Sequence, residues 1–475
     1  MSEPARHARL GGAERAALLT GARQILQANW TGTFTVPSRT LYPHQWCWDA
    51  AFIAIGRARA DQRRAQQELM SLFTAQWANG MVPHIVFDPD VAPGAYFPGP
   101  GFWDSDRADG RPGDPATSGI TQPPLHAVAG LEIWRHARDR RAARAFLRWL
   151  YPRLVAQHAH LARCRDVAGR GLAAIVHPWE SGMDNTPVWD AELAGVTIPP
   201  GALPPYRRQD LVHADPADRP SDQAYDRYVY LAITYRDADY DDARLPADSP
   251  FLVEDPLFNA IWCWSAHALA EISEILGSDP GPHRATAARI HQGMLDHLWD
   301  PVARRFYALD VGDGTRIPKN TVGSLVPLVD PELPAEHVDA IVAELGSPHF
   351  HPPGGDGFLV PSFDLAGAEF DPRRYWRGPV WINTDWLLWR GLRQHDQRGL
   401  ADQIAASMLR LVQRSGWREY FDPFTGAGYG SQDFSWTAAL LIDLLGELEP
   451  NEPDRAGTRR SAGAGPAGDA PTARA

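Results

Sequence analysis

The chain has 475 residues, 44% of them hydrophobic and 22% charged, which is ordinary for a globular protein that buries a sizeable core. Its formal net charge of −12 argues against a nucleic acid or an anionic membrane surface as a partner. No apolar run is long enough to cross a bilayer, the N-terminal stretch has no apolar signal core, and Cys47, Cys164 and Cys263 form no CxxC pair. We therefore expect a cytoplasmic protein with unpaired cysteines and a small-molecule partner, and we leave a homo-oligomer open.

Eight stretches carry apolar residues at three- and four-residue steps and are predicted to be amphipathic helices. Several of them have a proline near the first turn, where its missing N–H costs nothing. In chain order the predicted helices span 50–77, 122–139, 144–166, 255–276, 282–300, 377–395, 398–414 and 434–449. Alternating strand patterns are few, and residues 303–314 are the best candidate for a short hairpin.

Long segments rich in Gly, Pro, Asp and aromatic residues separate these helices. They span 84–122, 176–256, 349–380 and 416–433. Loops of that length inside a compact domain usually carry function. The alternation predicts an all-α toroid of paired helices, with long active-site loops at one end. We expect residues 13–449 to form a single domain, with a flexible N-terminus (1–12) and a low-complexity, disordered tail (450–475).

Tryptophan is unusually frequent, with 18 residues where average usage would give roughly half that number. An indole offers a flat apolar face that suits the C–H face of a sugar, although the same residues could fill a large core. Several tryptophans stand beside acids, arginine or Gly/Pro turns, and this clustering favours a carbohydrate site. They are Trp46, Trp48, Trp179, Trp189, Trp376 and Trp381.

Four acidic positions lie among these aromatic residues. The stretch WESGMDN contains Glu180 and Asp184, EYFDPFTG contains Glu419, and Asp49 follows a tryptophan at a predicted helix start. Hydrolysis of a glycosidic bond needs two carboxyl groups, one that protonates the leaving oxygen and one that activates water or attacks. Either acid of WESGMDN could be the proton donor, with a pKa raised by indole surface, or both could bind turn N–H groups; the sequence favours neither. Asp49 could cap the helix, accept sugar hydroxyl groups, or do both.

Two further motifs could form the wall of a pocket or serve the fold alone. Arg219 and Tyr225, in RPSDQAYDRY, could bind a substrate carboxylate or lie in a solvated loop. Tyr375, Trp376 and Trp381, in YWRGPVW, could line a pocket or belong to the core.

Metal and phosphate motifs are weak in this sequence. The acidic run YRDADYDDARLP is similar to a diphosphate–Mg²⁺ motif, but no second metal motif faces it. The glycines of GAGYG are not preceded by a strand or followed by GK[ST], as a phosphate loop would require. The 17 histidines contain no HExxH motif and no paired ligand spacing. We therefore predict no catalytic metal and no cofactor.

Taken together, these motifs resemble glycoside hydrolase family 63, and within it the small bacterial hydrolases of glucosylglycerate and mannosylglycerate. The resemblance extends over nearly all of residues 13–449. It rests on LYPHQWCWDAAFIAIG, AQWANGMVPHIVF, AYFPGP, SGITQPP, WESGMDN, RPSDQAYDRY, YWRGPVW and EYFDPFTG followed by SWTAA. It implies an (α/α)6 barrel and an inverting, exo-acting α-glycoside hydrolase, with glucosylglycerate as the first-choice substrate and mannosylglycerate as the second.

The resemblance also implies roles for individual residues. Asp184 would be the general acid, Glu419 the general base, and Glu180 a supporting residue. The sugar would be held by Trp48 and Asp49, with Gln122 and Trp381 nearby. The glycerate would be surrounded by Tyr42, Trp46, Tyr96, Arg219, Tyr225, Tyr375 and Trp376.

Two other functions stay open from the sequence. An α-glucosidase for small neutral disaccharides would not need Arg219. A non-catalytic carbohydrate-binding protein would keep the pocket and lose turnover, although the presence of both catalytic acids argues against it.

Overall fold

The computed structural model describes residues 10–108, 110–213, 215–245 and 249–448. Within these residues, twelve helices have ten residues or more. They are α1 (Gly12–Ala28), α2 (Cys47–Ala58), α3 (Gln62–Thr74), α4 (His126–Arg135), α5 (Arg140–His160), α6 (Asp222–Asp237), α7 (Pro256–Leu276), α8 (Gly281–Gly293), α9 (Ala335–Leu345), α10 (Ile382–Gln394), α11 (Arg398–Ser415) and α12 (Ser435–Glu447). The predicted disordered tail and all but the last three residues of the predicted flexible N-terminus lie outside the described residues.

Five of these helices and one short segment contact one another in a closed ring. Going round the ring, α2 contacts α4, α4 contacts α7, α10 contacts α12, and α12 returns to α2. Between α7 and α10 the sixth position is taken by two 3₁₀ turns, Val322–Ser324 and Val326–Val329. Further helices pack outside: α1 on α12, α3 on α2, α5 on α4, α8 on α7 and α11 on α10. This double ring confirms the predicted (α/α)6 barrel.

The composition of each helix explains its layer. Helix α7 is apolar around most of its circumference and is buried along most of its length, as an inner helix must be. Its ends are well defined, because the Asp255 side chain accepts a hydrogen bond from the backbone N–H of Phe258 (2.9 Å) and Gly277 ends it at φ +82°. Helix α11 instead buries one stripe at three- and four-residue spacing, which includes Ala401, Ile404 and Met408. It therefore belongs to the outer ring.

The helices differ most from the prediction in two places. The predicted single helix 50–77 is two helices, because Asp61 interrupts it and caps α3 by accepting a hydrogen bond from the Arg64 backbone N–H (3.1 Å). Helix α6 lies in a segment predicted to be a loop, where Ser221 supplies the cap. The sequence analysis also missed α1 and α9, and the described part of the chain contains short helices at Pro100–Trp103, Asp190–Gly195 and Asp210–His213.

The strands are two or three residues long and serve the loops. Three pairs are Gln45–Trp46 with Ile85–Val86, Trp299–Asp300 with Arg305–Phe306, and Tyr420–Phe421 with Gly428–Tyr429. A four-stranded antiparallel sheet has the order Ala174–Ile175, Val253–Glu254, Ala308–Asp310 and Arg316–Ile317. The predicted hairpin at 303–314 therefore exists but reaches Ile317.

The inner helices begin next to the long loops. The residues that immediately precede α2, α10 and α12 are Trp46, Trp381 and Phe434, and each has an extended backbone. Side chains at the starts of these helices and on the loops therefore meet at one end of the barrel. In the described part of the chain, every helix is too short or too polar to cross a bilayer.

Candidate active site

A cavity opens at the end of the barrel where the inner helices begin. Twelve of the fourteen residues predicted for the site line it. These are Tyr42, Trp46, Trp48, Asp49, Tyr96, Gln122, Asp184, Arg219, Tyr225, Tyr375, Trp376 and Glu419. The structure therefore brings together residues from widely separated stretches of the sequence.

The other two predicted residues lie behind the cavity wall. The Glu180 carboxylate is fully buried, pairs with Arg165 at 2.8 Å, and accepts backbone hydrogen bonds from Thr121 and Val176 (3.1 and 2.8 Å). Trp381 stacks on Trp376, with ring centroids 3.9 Å apart and planes within 3° of parallel. Both residues can support the wall, and neither is among the residues that line the cavity.

The WESGMDN stretch presents Asp184 through a tight turn. Residues Pro178–Ser181 form a 3₁₀ turn that ends at Gly182, whose φ of +75° favours glycine. A Cβ on Gly182 would come within 2.6 Å of the Trp48 indole, so glycine also lets the turn approach the cavity wall. The Tyr228 hydroxyl then donates to the Asp184 carbonyl oxygen at 2.9 Å and fixes the backbone behind the carboxyl group.

Glu419 is held by a short hairpin on the opposite loop. Its Oε1 accepts a hydrogen bond from the Tyr42 hydroxyl and its Oε2 accepts one from the Ser431 backbone N–H, each at 2.8 Å. The Arg219 guanidinium lies 3.7 Å from Oε1. Only 1% of Glu419 is exposed, so these three groups provide most of the surroundings of its charge.

The two carboxyl groups have different electrostatic environments. Burial raises the pKa of Asp184 to about 7, with Arg219 and the residue's own backbone N–H opposing the shift and Glu419 reinforcing it. Burial also raises the pKa of Glu419, but Arg219, Ser431 and Tyr42 all oppose that shift. Asp184 is therefore the group that keeps a proton near neutral pH, whereas Glu419 has the donors that stabilise a carboxylate.

Arg219 is the main cationic group of the cavity lining. Its Nη2 donates to the Tyr42 hydroxyl at 3.0 Å, its Nε lies 3.5 Å from Asp210, and its guanidinium stands 4.3 Å from the centre of the Tyr375 ring. Its Nη1 has no hydrogen-bond partner among the described residues, although only 5% of the residue is exposed. A buried donor without a partner costs about 1–3 kcal/mol, so a ligand that accepts from it is favoured.

Asp49 and several indoles also belong to the lining. Asp49 lies in the first turn of α2, where Trp46 is the cap residue, so the helix-cap alternative for Asp49 is wrong. Burial, Glu419 and Asp184 all raise the pKa of its carboxyl group. The Trp48 ring packs edge-on against Trp436 at 5.6 Å, which fixes a flat apolar surface next to this acid.

Sequence reasoning missed several lining residues. They are Pro37, Leu41, His84, Phe97, Gly182, Asp210, Pro220, Phe434 and Trp436; Trp179, one of the clustered tryptophans, also lines the cavity. Asp210 is the most important of them because it holds Arg219 and also pairs with Arg208 at 2.6 Å. Its only sequence signal is the spacing RRQD in a loop, which does not distinguish it from a solvated acid.

Replacement of Gly430 by alanine tests how tightly Glu419 is positioned. A Cβ at this position would lie 2.3 Å from Glu419 Oε2, so the carboxylate must move, and a shift of this kind is expected to lower kcat on the order of tenfold. Steady-state kinetics on the substrate proposed below would measure it. Gly354→Ala is the matched control, because it also has a positive φ but open space around its Cβ. Equal kcat values for the two variants would contradict tight positioning.

Four groups of three metal-ligating side chains occur in the described residues, and none of the four lies in the cavity. The chemistry that the lining side chains themselves offer is that of carboxyl, hydroxyl and guanidinium groups on an aromatic surface. This combination can protonate one oxygen, deprotonate another and bind a small anion.

Comparison with known proteins gives consistent matches over most of the chain. A family model described as the mannosylglycerate hydrolase MGH1-like glycoside hydrolase domain matches residues 42–437. The mannosylglycerate hydrolase of Rubrobacter radiotolerans is 44% identical over 90% of this chain and 96% of its own length. The glucosylglycerate hydrolase of Mycolicibacterium hassiacum is 41% identical over 90% of this chain and 98% of its own length. The crystal structure of a GH63 mannosylglycerate hydrolase from Thermus thermophilus in complex with Tris and D-glycerate matches with a TM-score of 0.83 at 41% identity, and the match covers 90% of this chain and 99% of that one.

Proposed function

The chain belongs to the mannosylglycerate hydrolase MGH1-like glycoside hydrolases of family 63, and from that premise we propose that it cleaves an α-glycoside of glycerate into sugar and glycerate. The observation that carries the proposal is one cavity containing two unlike carboxyl groups and a buried arginine whose Nη1 makes no hydrogen bond. The carboxyl groups suit hydrolysis, and the arginine suits an anionic leaving group.

The reaction is a single displacement that inverts the anomeric carbon. Asp184 holds a proton near neutral pH and gives it to the glycosidic oxygen as the bond breaks. Glu419, supported by hydrogen bonds from Tyr42 and Ser431, accepts a proton from the attacking water. Asp184 ends the reaction as a carboxylate and Glu419 ends it protonated. Proton exchange with solvent then restores both groups.

The glycerate carboxylate is bound by Arg219 and the surrounding hydroxyl groups. Nη1 of Arg219, which faces Glu419 at 3.7 Å but makes no hydrogen bond, supplies a charged donor, and Tyr42, Tyr96 and Tyr225 supply phenol groups in the same cavity. A charge-assisted hydrogen bond of this kind is shorter and stronger than a neutral one. A neutral disaccharide would offer Nη1 no charged acceptor, which favours the glycerate glycoside over the α-glucosidase alternative.

The sugar ring stacks on Trp48 and donates hydroxyl hydrogen bonds to Asp49, with Gln122 close to both. Glucosylglycerate is our first choice and mannosylglycerate the second. Purified protein is to be incubated with each of these and with kojibiose, while NMR records the first-formed anomer. Release of the β-anomer from an α-glycosylglycerate would support inversion. Absence of hydrolysis of both glycerate glycosides, or initial release of the α-anomer, would refute the proposal.

The pH profile of kcat/KM is expected to have its basic limb at about pH 7, because the pKa of Asp184 is raised to about 7 and the acid acts only when protonated. Activity should therefore fall about tenfold per pH unit above that value. The acidic limb, set by Glu419, should lie above that group's usual value of 4.5, since burial raises its pKa. Profiles of the wild type and of Asp184→Asn would check the assignment, which fails if the basic limb survives in the variant.

The cellular setting follows from the same substrate. We propose a cytoplasmic enzyme, since a charged glycerate glycoside does not cross a bilayer unaided. We also propose that residues 13–449 form one catalytic domain. The free thiols of Cys47, Cys164 and Cys263 are consistent with a reducing compartment. Fractionation of the native host with an antibody to the chain would test this placement.

A further inference from the structure

A group of metal-ligating side chains lies on the barrel away from the cavity. Cys263 and His267 stand four residues apart on one face of α7, His291 lies near the end of α8, and Asp330 follows the 3₁₀ turn Val326–Val329. We call these four residues the α7–α8 cluster. None of them lines the cavity, and the hydrolytic mechanism uses none of them.

Three of the four residues bring their ligand atoms close together, and the fourth, His291, contacts one of the three. The ligand atoms of Cys263, His267 and Asp330 all lie within 4.8 Å of one another. His267 Nε2 is 3.7 Å from Asp330 Oδ1 and has no hydrogen-bond partner among the described residues. His291 Nδ1 lies 2.6 Å from the other carboxylate oxygen, Oδ2. The cluster therefore contains a thiol, two imidazoles and a carboxylate that come from three separate elements.

The charge of Asp330 is met by two imidazoles and by the Glu332 backbone N–H, which donates to Oδ1 at 3.0 Å. The side chain is fully buried, and within the described residues its ion pairs involve only His267 and His291. Lysine and arginine, which usually pair with a buried carboxylate, are not among these partners. A divalent cation bound to a Cys thiolate, an Asp carboxylate and two neutral imidazoles would form a site with no net charge.

We propose that Cys263, His267, His291 and Asp330 form a structural site for Zn²⁺. Thiolate and imidazole are ligands that Zn²⁺ prefers, whereas Mg²⁺ and Ca²⁺ prefer oxygen. Once His291 Nδ1 turns from Asp330 Oδ2 to the metal, four protein ligands leave no open position, which is the arrangement of a structural rather than a catalytic zinc site. Zinc bond lengths of about 2.0–2.3 Å require tetrahedral ligand atoms to lie roughly 3.3–3.8 Å apart. The distance between His267 Nε2 and Asp330 Oδ1 already meets this requirement. The distance between His291 Nδ1 and Asp330 Oδ2 must lengthen, because the metal replaces the proton that these two atoms share.

The position of the site indicates that a bound metal would stabilise the inner ring. The ring has a long inner helix at five positions and only the turns Val322–Ser324 and Val326–Val329 at the sixth. Asp330 ends these turns, while Cys263 and His267 belong to the neighbouring inner helix α7 and His291 to the outer helix α8. A metal bound by all four joins the shortest part of the inner ring to two helices. The site's signal in the sequence is the CxxxH spacing of α7, which is weaker than a paired-histidine motif because the other two ligands lie far along the chain.

Metal binding can be measured without reference to activity. Full-length protein is stripped with a chelator, titrated with Zn²⁺ against a chromophoric competitor, and titrated separately with Co²⁺ to record visible d–d and thiolate charge-transfer bands. We expect one metal ion per chain, the spectrum of a tetrahedral cobalt thiolate, and a higher Tm in the loaded protein. A wild type that binds no metal at micromolar concentrations, or whose cobalt spectrum lacks the thiolate band, would overturn the proposal.

Three variants assign the site. Cys263→Ser and His267→Gln should each weaken Zn²⁺ binding by more than about 100-fold, since even indirect partners of a metal ligand contribute 10–100-fold. If the buried serine of Cys263→Ser prevents folding, the affinity of His267→Gln for Zn²⁺ still tests the site. Cys164→Ser is the matched control, because Cys164 lies near His160 and Asp242 in another group whose carboxylate already pairs with Arg165 at 3.1 Å. Wild-type affinity in His267→Gln, or loss of binding in Cys164→Ser, would reject the site.

Discussion

Asp184→Asn is expected to lower kcat on glucosylglycerate by about 10²–10⁴-fold, the usual contribution of a general acid. The same variant should keep most of its activity on α-glucosyl fluoride, because fluoride leaves without being protonated. The raised pKa of Asp184, which burial causes, is the reason for assigning it the acid role. Initial rates on the two substrates would measure the effect.

Glu419→Gln, unlike Asp184→Asn, should lose its activity on α-glucosyl fluoride. Water must still be deprotonated when fluoride leaves, so this variant is expected to lose about 10²–10⁴-fold on both substrates. Glu254→Gln is the matched control: burial also raises the pKa of Glu254 to about 7, but this carboxyl group pairs with Arg170 outside the cavity. If fluoride restored Glu419→Gln and not Asp184→Asn, the two roles would have to be exchanged. Full activity in either variant would remove both from the mechanism.

The fold could be predicted from sequence where helical periodicity is strong. Helix α7 was predicted at 255–276 and is observed at Pro256–Leu276, because its apolar pattern, cap residue and terminal glycine all agree. Helix α6 was missed because its sequence is rich in tyrosine, β-branched residues and charges, which weaken helix propensity. Its helical state depends on burial of Tyr225, Tyr228 and Val229, which is a tertiary effect.

The sequence could predict which motifs contribute to the site, but not the role of a residue that depends on its neighbours in space. Trp48 and Asp49 were predicted to lie in one pocket because both stand in a motif rich in aromatic residues, and both line the cavity. The assignment of Asp184 over Glu180 could not be made from the residues, since both stand in one turn. The structure distinguishes the two acids. The Glu180 carboxylate binds Arg165 and two backbone N–H groups, whereas Asp184 lines the cavity.

The choice between a glycerate glycoside and a neutral one depends on Arg219. Replacement of Arg219 by methionine keeps much of the length of the side chain and removes its charge. It also removes the cation that lowers the pKa values of Asp184 and Glu419, so rates on every substrate should change. The informative quantity is therefore the ratio of kcat/KM for glucosylglycerate to that for glucosylglycerol, which differs only by a hydroxymethyl group in place of the carboxylate.

We expect Arg219→Met to lower this ratio by about 10- to 150-fold, since a hydrogen bond to a charged group contributes about 1.5–3 kcal/mol. Each rate should be measured at the variant's own pH optimum, because loss of the guanidinium raises both carboxyl pKa values and moves the profile to higher pH. Arg208→Met is the matched control: Arg208 pairs with the same Asp210 but does not line the cavity, so the ratio should stay at its wild-type value. A ratio that is unchanged in Arg219→Met would mean that the aglycone carboxylate binds elsewhere, and the neutral disaccharide would then become the better substrate class.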